Sequence, residues 1–326
     1  MLAECPQENC TVATTGQCLL NHDPAQSCPH YRSLGDDVDM TDELLDEPEE
    51  HPRFQPSNTL TADRLADIMG DRYCTMIGIV GPPDSGKTAA LVSTYLLLSH
   101  GRLKGFEYAD SRSLMALDEI SRGARRWTDG TPPDQMTAHT ELSEDRAAGF
   151  LHLRIRDNQT LVPVDFLLPD LPGEWSTAMV EESRFDRLQF LERADVIWLM
   201  VDGQRLATAA HRQGAIHRTK LYLQRLREFL PQLPRIILVV TRGDSGQPSQ
   251  KTLAAILEEG AALGIELSVR SIASFSSNPE MPAGSGIPEL IRASIGKVPP
   301  RAEFWSKSEV SMVRAINTIV LGGVDE

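Results

Sequence analysis

Apolar positions fall into short blocks separated by polar, helix-periodic stretches. MIGIV (76–80) is a strand-length run that ends on a glycine, and LVPVDFLL (161–168), VIWLMV (196–201) and RIILVV (235–240) are further runs of this kind. The last two are almost continuously apolar, as central parallel strands buried on both faces should be. FLHLRIR (150–156) alternates instead, with Leu151, Leu153 and Ile155 to one side and His152, Arg154 and Arg156 to the other. That pattern predicts a half-exposed edge strand. It pairs with 161–168 across the turn residues Asp157 and Asn158 as an antiparallel hairpin. IELSVR (265–270) alternates again and suits the opposite edge.

Helical patterns lie between these runs. Residues 61–69 put Leu65 and Ile68 on one face, and 87–99 follows the first strand. Further helices are expected around 176–193, 205–230, 250–263 and 287–295, with a weaker pattern near 306–320. Strands alternating with helices predict an α/β fold, a doubly wound and mostly parallel sheet with helices on both faces. That domain is expected over 60–298, preceded by a cysteine-rich module (1–31) and a linker (32–59) and followed by a tail (299–326).

Composition sharpens this division. The segment 36–50 carries nine acidic residues and no basic one, the mark of a solvated, self-repelling linker. The formal net charge of −14 argues against binding nucleic acid through a basic field. No apolar run approaches the ~20 residues that span a bilayer. The start, MLAECPQENC, lacks a basic region followed by an apolar core, so a cytoplasmic location is expected. Four of the five cysteines, Cys5, Cys10, Cys18 and Cys28, lie in the first 28 residues, with His22 and His30 nearby. Their spacing leaves open a structural zinc site, an iron–sulfur site, disulfides or a thiol-bearing arm. Cys74 reads as a core thiol.

Three motifs carry chemistry. GPPDSGKT (Gly81, Pro82, Pro83, Asp84, Ser85, Gly86, Lys87, Thr88) fits the phosphate-loop pattern between a strand and a helix. Its glycines let backbone N–H groups curl round phosphates, Lys87 supplies a cation, and the Thr88 hydroxyl suits magnesium. DLPGE (170–174) ends the 161–168 strand: Asp170 is a second magnesium-side group, and the Gly173 N–H faces a γ-phosphate. TRGD (241–244) ends RIILVV. Asp244 can accept from the guanine ring N–H and amine, the Arg242 stem can lie on the base, and Thr241 can brace the loop.

In this order and at strand ends, the motifs resemble those of TRAFAC GTPases over roughly residues 72–296. The resemblance implies GTP and GDP as ligands, magnesium as cofactor and GTP hydrolysis. Three departures stand out. Arginine occupies position 242, where lysine is usual. Glu174 stands where small GTPases carry a water-orienting glutamine, which implies slow hydrolysis. The 89 positions from Gly81 to Asp170 leave a long insert.

Within that insert, FEYADSRSLMALDEISRGARRW (106–127) and TPPDQMT (131–137), taken with KTAALVSTYLLL (87–98), resemble bacterial proteins of the double-GTPase group found in conflict and defence systems. This resemblance suggests Thr137 as the switch threonine on magnesium, with Thr131 and Thr140 as rivals. Arg122, Arg125 and Arg126 lie where a cis arginine could reach the phosphates, though a solvated basic face reads as well. Protein partners are expected at 101–149, at 174–193 and at the N-terminal module. An ATPase or broad NTPase, and a nucleotide-bound scaffold with little turnover, are the competing readings.

Overall fold

The computed structural model describes residues 3–7, 9–33, 59–123 and 149–296, and the chain divides into two compact units, Met1–Gln55 and Pro56–Glu326. The acidic 36–50 segment, Thr131, Thr137, Thr140, Arg125, Arg126 and the tail lie outside the described residues.

In the first unit, β1 (Ala3–Glu4) pairs antiparallel with β2 (Arg32–Ser33), and α1 (Val12–Thr15) and a 3₁₀ turn at Ala25–Ser27 lie between them. The Cys10 and Cys18 thiols are held below their usual range, chiefly by backbone N–H groups of Leu19 and His22 respectively. Among the described residues no three His, Cys, Asp or Glu side chains converge as a metal ion requires. The zinc site expected at Cys5, Cys10, Cys18 and Cys28 is therefore not supported.

The second unit begins with α2 (Ala62–Asp71), β3 (Cys74–Val80), α3 (Lys87–Ser99), β4 (Phe106–Asp110) and α4 (Leu114–Ile120). Then come β5 (Gly149–Asp157), β6 (Pro163–Asp170), α5 (Gly173–Glu181), a 3₁₀ segment at Asp186–Arg193 and β7 (Val196–Asp202). The described residues close with α6 (Gly203–Ala207), α7 (Ala209–Phe229), β8 (Arg235–Thr241), α8 (Gln250–Ala262), β9 (Leu267–Ser271) and α9 (Ile287–Ser294). Seven strands form one sheet in the order β4-β5-β6-β3-β7-β8-β9. All neighbours from β6 to β9 are parallel, and β4-β5 and β5-β6 are antiparallel.

The alternation of each central strand feeds two cores. Ile77, Ile79, Phe166, Trp198 and Val239 pack under α3, α4 and α9, where the buried Trp198 indole donates to Ser294 Oγ at 2.8 Å. Val80, Ile197, Leu199, Leu238 and Val240 pack under α5, α7 and α8. This is the doubly wound α/β sheet that the alternating pattern predicts. Leu65 and Ile68 of α2 cover Cys74 and Met76 as a third cluster, so Cys74 is a core thiol.

An expectation about the sheet also needs correction. FLHLRIR is not an edge, because β4 lies outside it and His152 is fully buried. The reason is a polar cover. Ser111 and Ser113 hydroxyls donate to the His152 carbonyl, the Arg112 N–H donates to its Nδ1 at 3.0 Å, and Nε2 meets Asp165 at 2.9 Å. An acceptor role at Nδ1 leaves the hydrogen on Nε2, so the ring donates to the carboxylate.

Candidate functional site

Because β3, β6, β7, β8 and β9 run parallel, the loops that follow them gather at one edge of the sheet. The strand order reverses about β3, and such a switch point opens a crevice beyond the strand ends. The 81–86 loop leaves β3 there and turns into the N-terminus of α3, whose first N–H groups lack intrahelical partners.

Gly86 permits that turn. Its φ of +88° is left-handed, and a Cβ on it would meet Thr241 at 3.3 Å. Lys87 folds back over the loop, donating to the carbonyls of Gly81 at 3.0 Å and Pro82 at 2.8 Å. Burial pushes its ammonium down to about 8, while the carboxylates of Glu174, Asp84 and Asp170 act in the opposite sense. Ser85 Oγ is buried and has no hydrogen-bond partner among the described residues. Thr88 is half-buried in the first turn of α3.

From β6, Asp170 ends the strand and Gly173 starts α5 against the 81–86 loop. A Cβ on Gly173 would lie 2.7 Å from Pro83 Cα and 3.0 Å from Lys87 Nζ. Glu174 is exposed on the first turn of α5.

From β8, the buried Thr241 hydroxyl lies 3.0 Å from the Ser85 carbonyl and 3.1 Å from that of Val201. Arg242 follows with a left-handed φ of +53°. Its guanidinium donates to Asp202 at 2.9 Å and to the Asp84 carbonyl at 3.3 Å. Asp244 is half-buried beside a cleft of about 460 Å³ lined by Gly243, Ser245, Gly246, Gln247, Asn278, Glu280 and Met281.

Taken together, these features fit a phosphate ligand. Among the described residues the buried Ser85 hydroxyl has no partner, the half-buried Lys87 ammonium is held by loop carbonyls, and a side chain at Gly173 would meet the loop backbone. The Double-GTPase 2 family profile matches residues 75–295. The chain belongs to the Double-GTPase 2 family.

As a Double-GTPase 2 protein it has structural relatives of low identity. One is a chain of the signal recognition particle receptor SRb-GTP/SRX complex from Chaetomium thermophilum. It is 16% identical, with 68% of this chain and 98% of that chain covered and a TM-score of 0.42. Another is a mutation variant of SsGBP, 14% identical, with 71% and 59% covered and a TM-score of 0.36. No curated protein matches the chain.

The Double-GTPase 2 fold brings the 81–88 loop, Asp170, Gly173, Thr241, Arg242 and Asp244 to one sheet edge. The candidate switch threonines Thr137, Thr131 and Thr140 and the basic pair Arg125 and Arg126 fall outside the described residues, and Arg122 is exposed just beyond α4. Sequence reasoning missed the end of β9 and the segment after it. Ser271 and Met281 pack on Gly243, whose N–H donates to the Ile272 carbonyl, and Asn278 reaches the Asp244 carbonyl at 3.5 Å. It also missed Asp202. The available signal was its place at the end of the apolar run VIWLMV.

Proposed function

We propose that this Double-GTPase 2 chain binds GTP and GDP with magnesium and hydrolyses GTP slowly, acting as a nucleotide-dependent switch on protein partners. The observation that carries this reading is the close approach of Gly173 to Pro83 and Lys87, which leaves no room for a Cβ between the phosphate loop and the start of α5. A γ-phosphate seated on Lys87 would sit against the Gly173 N–H, so its loss would release the start of α5. Thr88, Asp170 and, from the 124–148 segment, Thr137 would hold magnesium. The metal supplies charge neutralisation at the terminal phosphates. Asp244 would read the guanine edge, with Arg242 against the base face and Thr241 bracing its loop to the phosphate loop.

In hydrolysis this chain's residues mostly position and stabilise. Lys87 neutralises charge on the transferred phosphoryl group, and Glu174 faces the attacking water as an acceptor. An ionised carboxylate offers no hydrogen to hold that water or the phosphate, so turnover is slow. The surfaces at 101–149 and 174–193 would meet partners. Among the described residues no helix is long and apolar enough to cross a membrane. The test is Lys87→Ala, with circular dichroism as the folding control. Binding of a non-hydrolysable GTP analogue should weaken by about 100-fold or more, the scale of removing one partner from a buried charge pair. Unchanged affinity would overturn the site.

A further inference from the structure

The exchange of lysine for arginine at position 242 comes with a partner that no motif contains. In the register of the two parallel strands, Asp202 at the end of β7 stands opposite Thr241 at the end of β8, which brings its carboxylate beside Arg242. Asp202 is only 7% exposed, and a carboxylate so placed must find donors for both oxygens. Oδ1 caps α6, accepting from the Gln204 and Arg205 N–H groups at 2.9 and 3.2 Å. That leaves Oδ2. Its short contact is the Arg242 guanidinium at 2.9 Å, whereas the exposed Arg205 stands 3.7 Å away. The second Nη of Arg242 reaches the Asp84 carbonyl in the phosphate loop. The planar fork of arginine thus spans two loops at once, a geometry that a lysine ammonium does not reproduce.

We propose that Asp202 is a positioning residue for the base-reading loop: its carboxylate clamps Arg242 between Asp202 and the phosphate loop, and so sets purine-nucleotide affinity without touching the nucleotide. This rests on the guanine-nucleotide reading above. Arg242 has a left-handed backbone, unusual for a residue with a side chain, and half of that side chain is exposed. Without the clamp the stem is free to leave the base face. The ion pair fixes both its direction and its reach.

The test is a double-mutant cycle in the full chain, read as affinity for a fluorescent GTP analogue with magnesium. Asp202→Asn keeps an oxygen to cap α6 and removes the charge that holds Arg242. Losing a charge-assisted hydrogen bond should weaken binding roughly 10-fold in the wild-type background. In the Arg242→Ala background the same exchange should change affinity less than about 2-fold, because the two residues act through one contact. Asp202→Ser also supplies a good helix cap and repeats the cycle if the amide variant fails to fold. Equal weakening in both backgrounds, or none in the wild-type background, would overturn the proposal. A wild-type chain that binds no guanine nucleotide would overturn the reading beneath it, and that result shows before any substitution is made.

Discussion

Gly173 and Pro83 approach so closely across the candidate site that a Cβ on the glycine would lie 2.7 Å from the proline Cα. Pro83 is backbone in a tight loop and cannot swing aside as a side chain can. Gly173→Ala should therefore displace either the phosphate loop or the start of α5, at a cost of about 1–3 kcal/mol for overpacking. The triphosphate should suffer more than the diphosphate, because the proposed Gly173 contact is to the γ-phosphate. Calorimetric titration with GDP and with a non-hydrolysable GTP analogue checks this, and equal losses would argue against a γ-phosphate contact.

Lys87 makes the site sensitive to pH. Burial lowers its ammonium from 10.5 to about 8, so between these values the folded chain holds fewer protons than the unfolded one. Its contribution to stability is then highest above about 10.5, falls as pH drops to about 8, and is level below that. Binding has the opposite slope, since a triphosphate needs the charged lysine. Affinity should be level below about pH 8 and fall above it, approaching tenfold per pH unit, with proton uptake on binding. Titrations in buffers of different ionisation enthalpy would show that uptake. Constant affinity up to about pH 9.5 would contradict the role given to Lys87.

The parts of the fold legible from sequence were those fixed by local pattern. The runs 196–201 and 236–240 are continuously apolar, and both are buried along their whole length. FEYAD carries no strand pattern, because only Phe106 of β4 is buried while Glu107, Tyr108 and Ala109 face solvent. Missing it turned β5 into an apparent edge, and the polar cover over His152 comes from residues some forty positions away. The site divides in the same way. GPPDSGKT is contiguous and could be read directly. The Asp202–Arg242 clamp depends on the register of β7 against β8, and the wall formed by Asn278 and Met281 depends on how the segment after β9 returns. Neither is written in local spacing.

Turnover offers a separate check. Glu174 accepts hydrogen bonds and does not donate them when ionised, so the purified chain should hydrolyse GTP no faster than the ~10⁻⁴ per second of glutamine-bearing small GTPases. Glu174→Gln should raise the single-turnover rate, since the amide can both orient water and donate. A wild-type rate near one per second would show that another residue completes the site.

The most direct test of the central claim is competition between GTP and ATP for the wild-type chain, with and without magnesium. A carboxylate facing guanine gains two donors, whereas adenine presents it with an acceptor nitrogen. Sites built on such pairs reject the wrong ligand by roughly 10⁴ or more. Asp244→Asn replaces one acceptor with a donor, so it should weaken GTP and favour xanthosine triphosphate, which has a carbonyl at that edge. The account predicts that GTP displaces a bound fluorescent guanine nucleotide at concentrations at least about a thousandfold below those of ATP, and that magnesium strengthens the triphosphate. Equal displacement by ATP and GTP would contradict it.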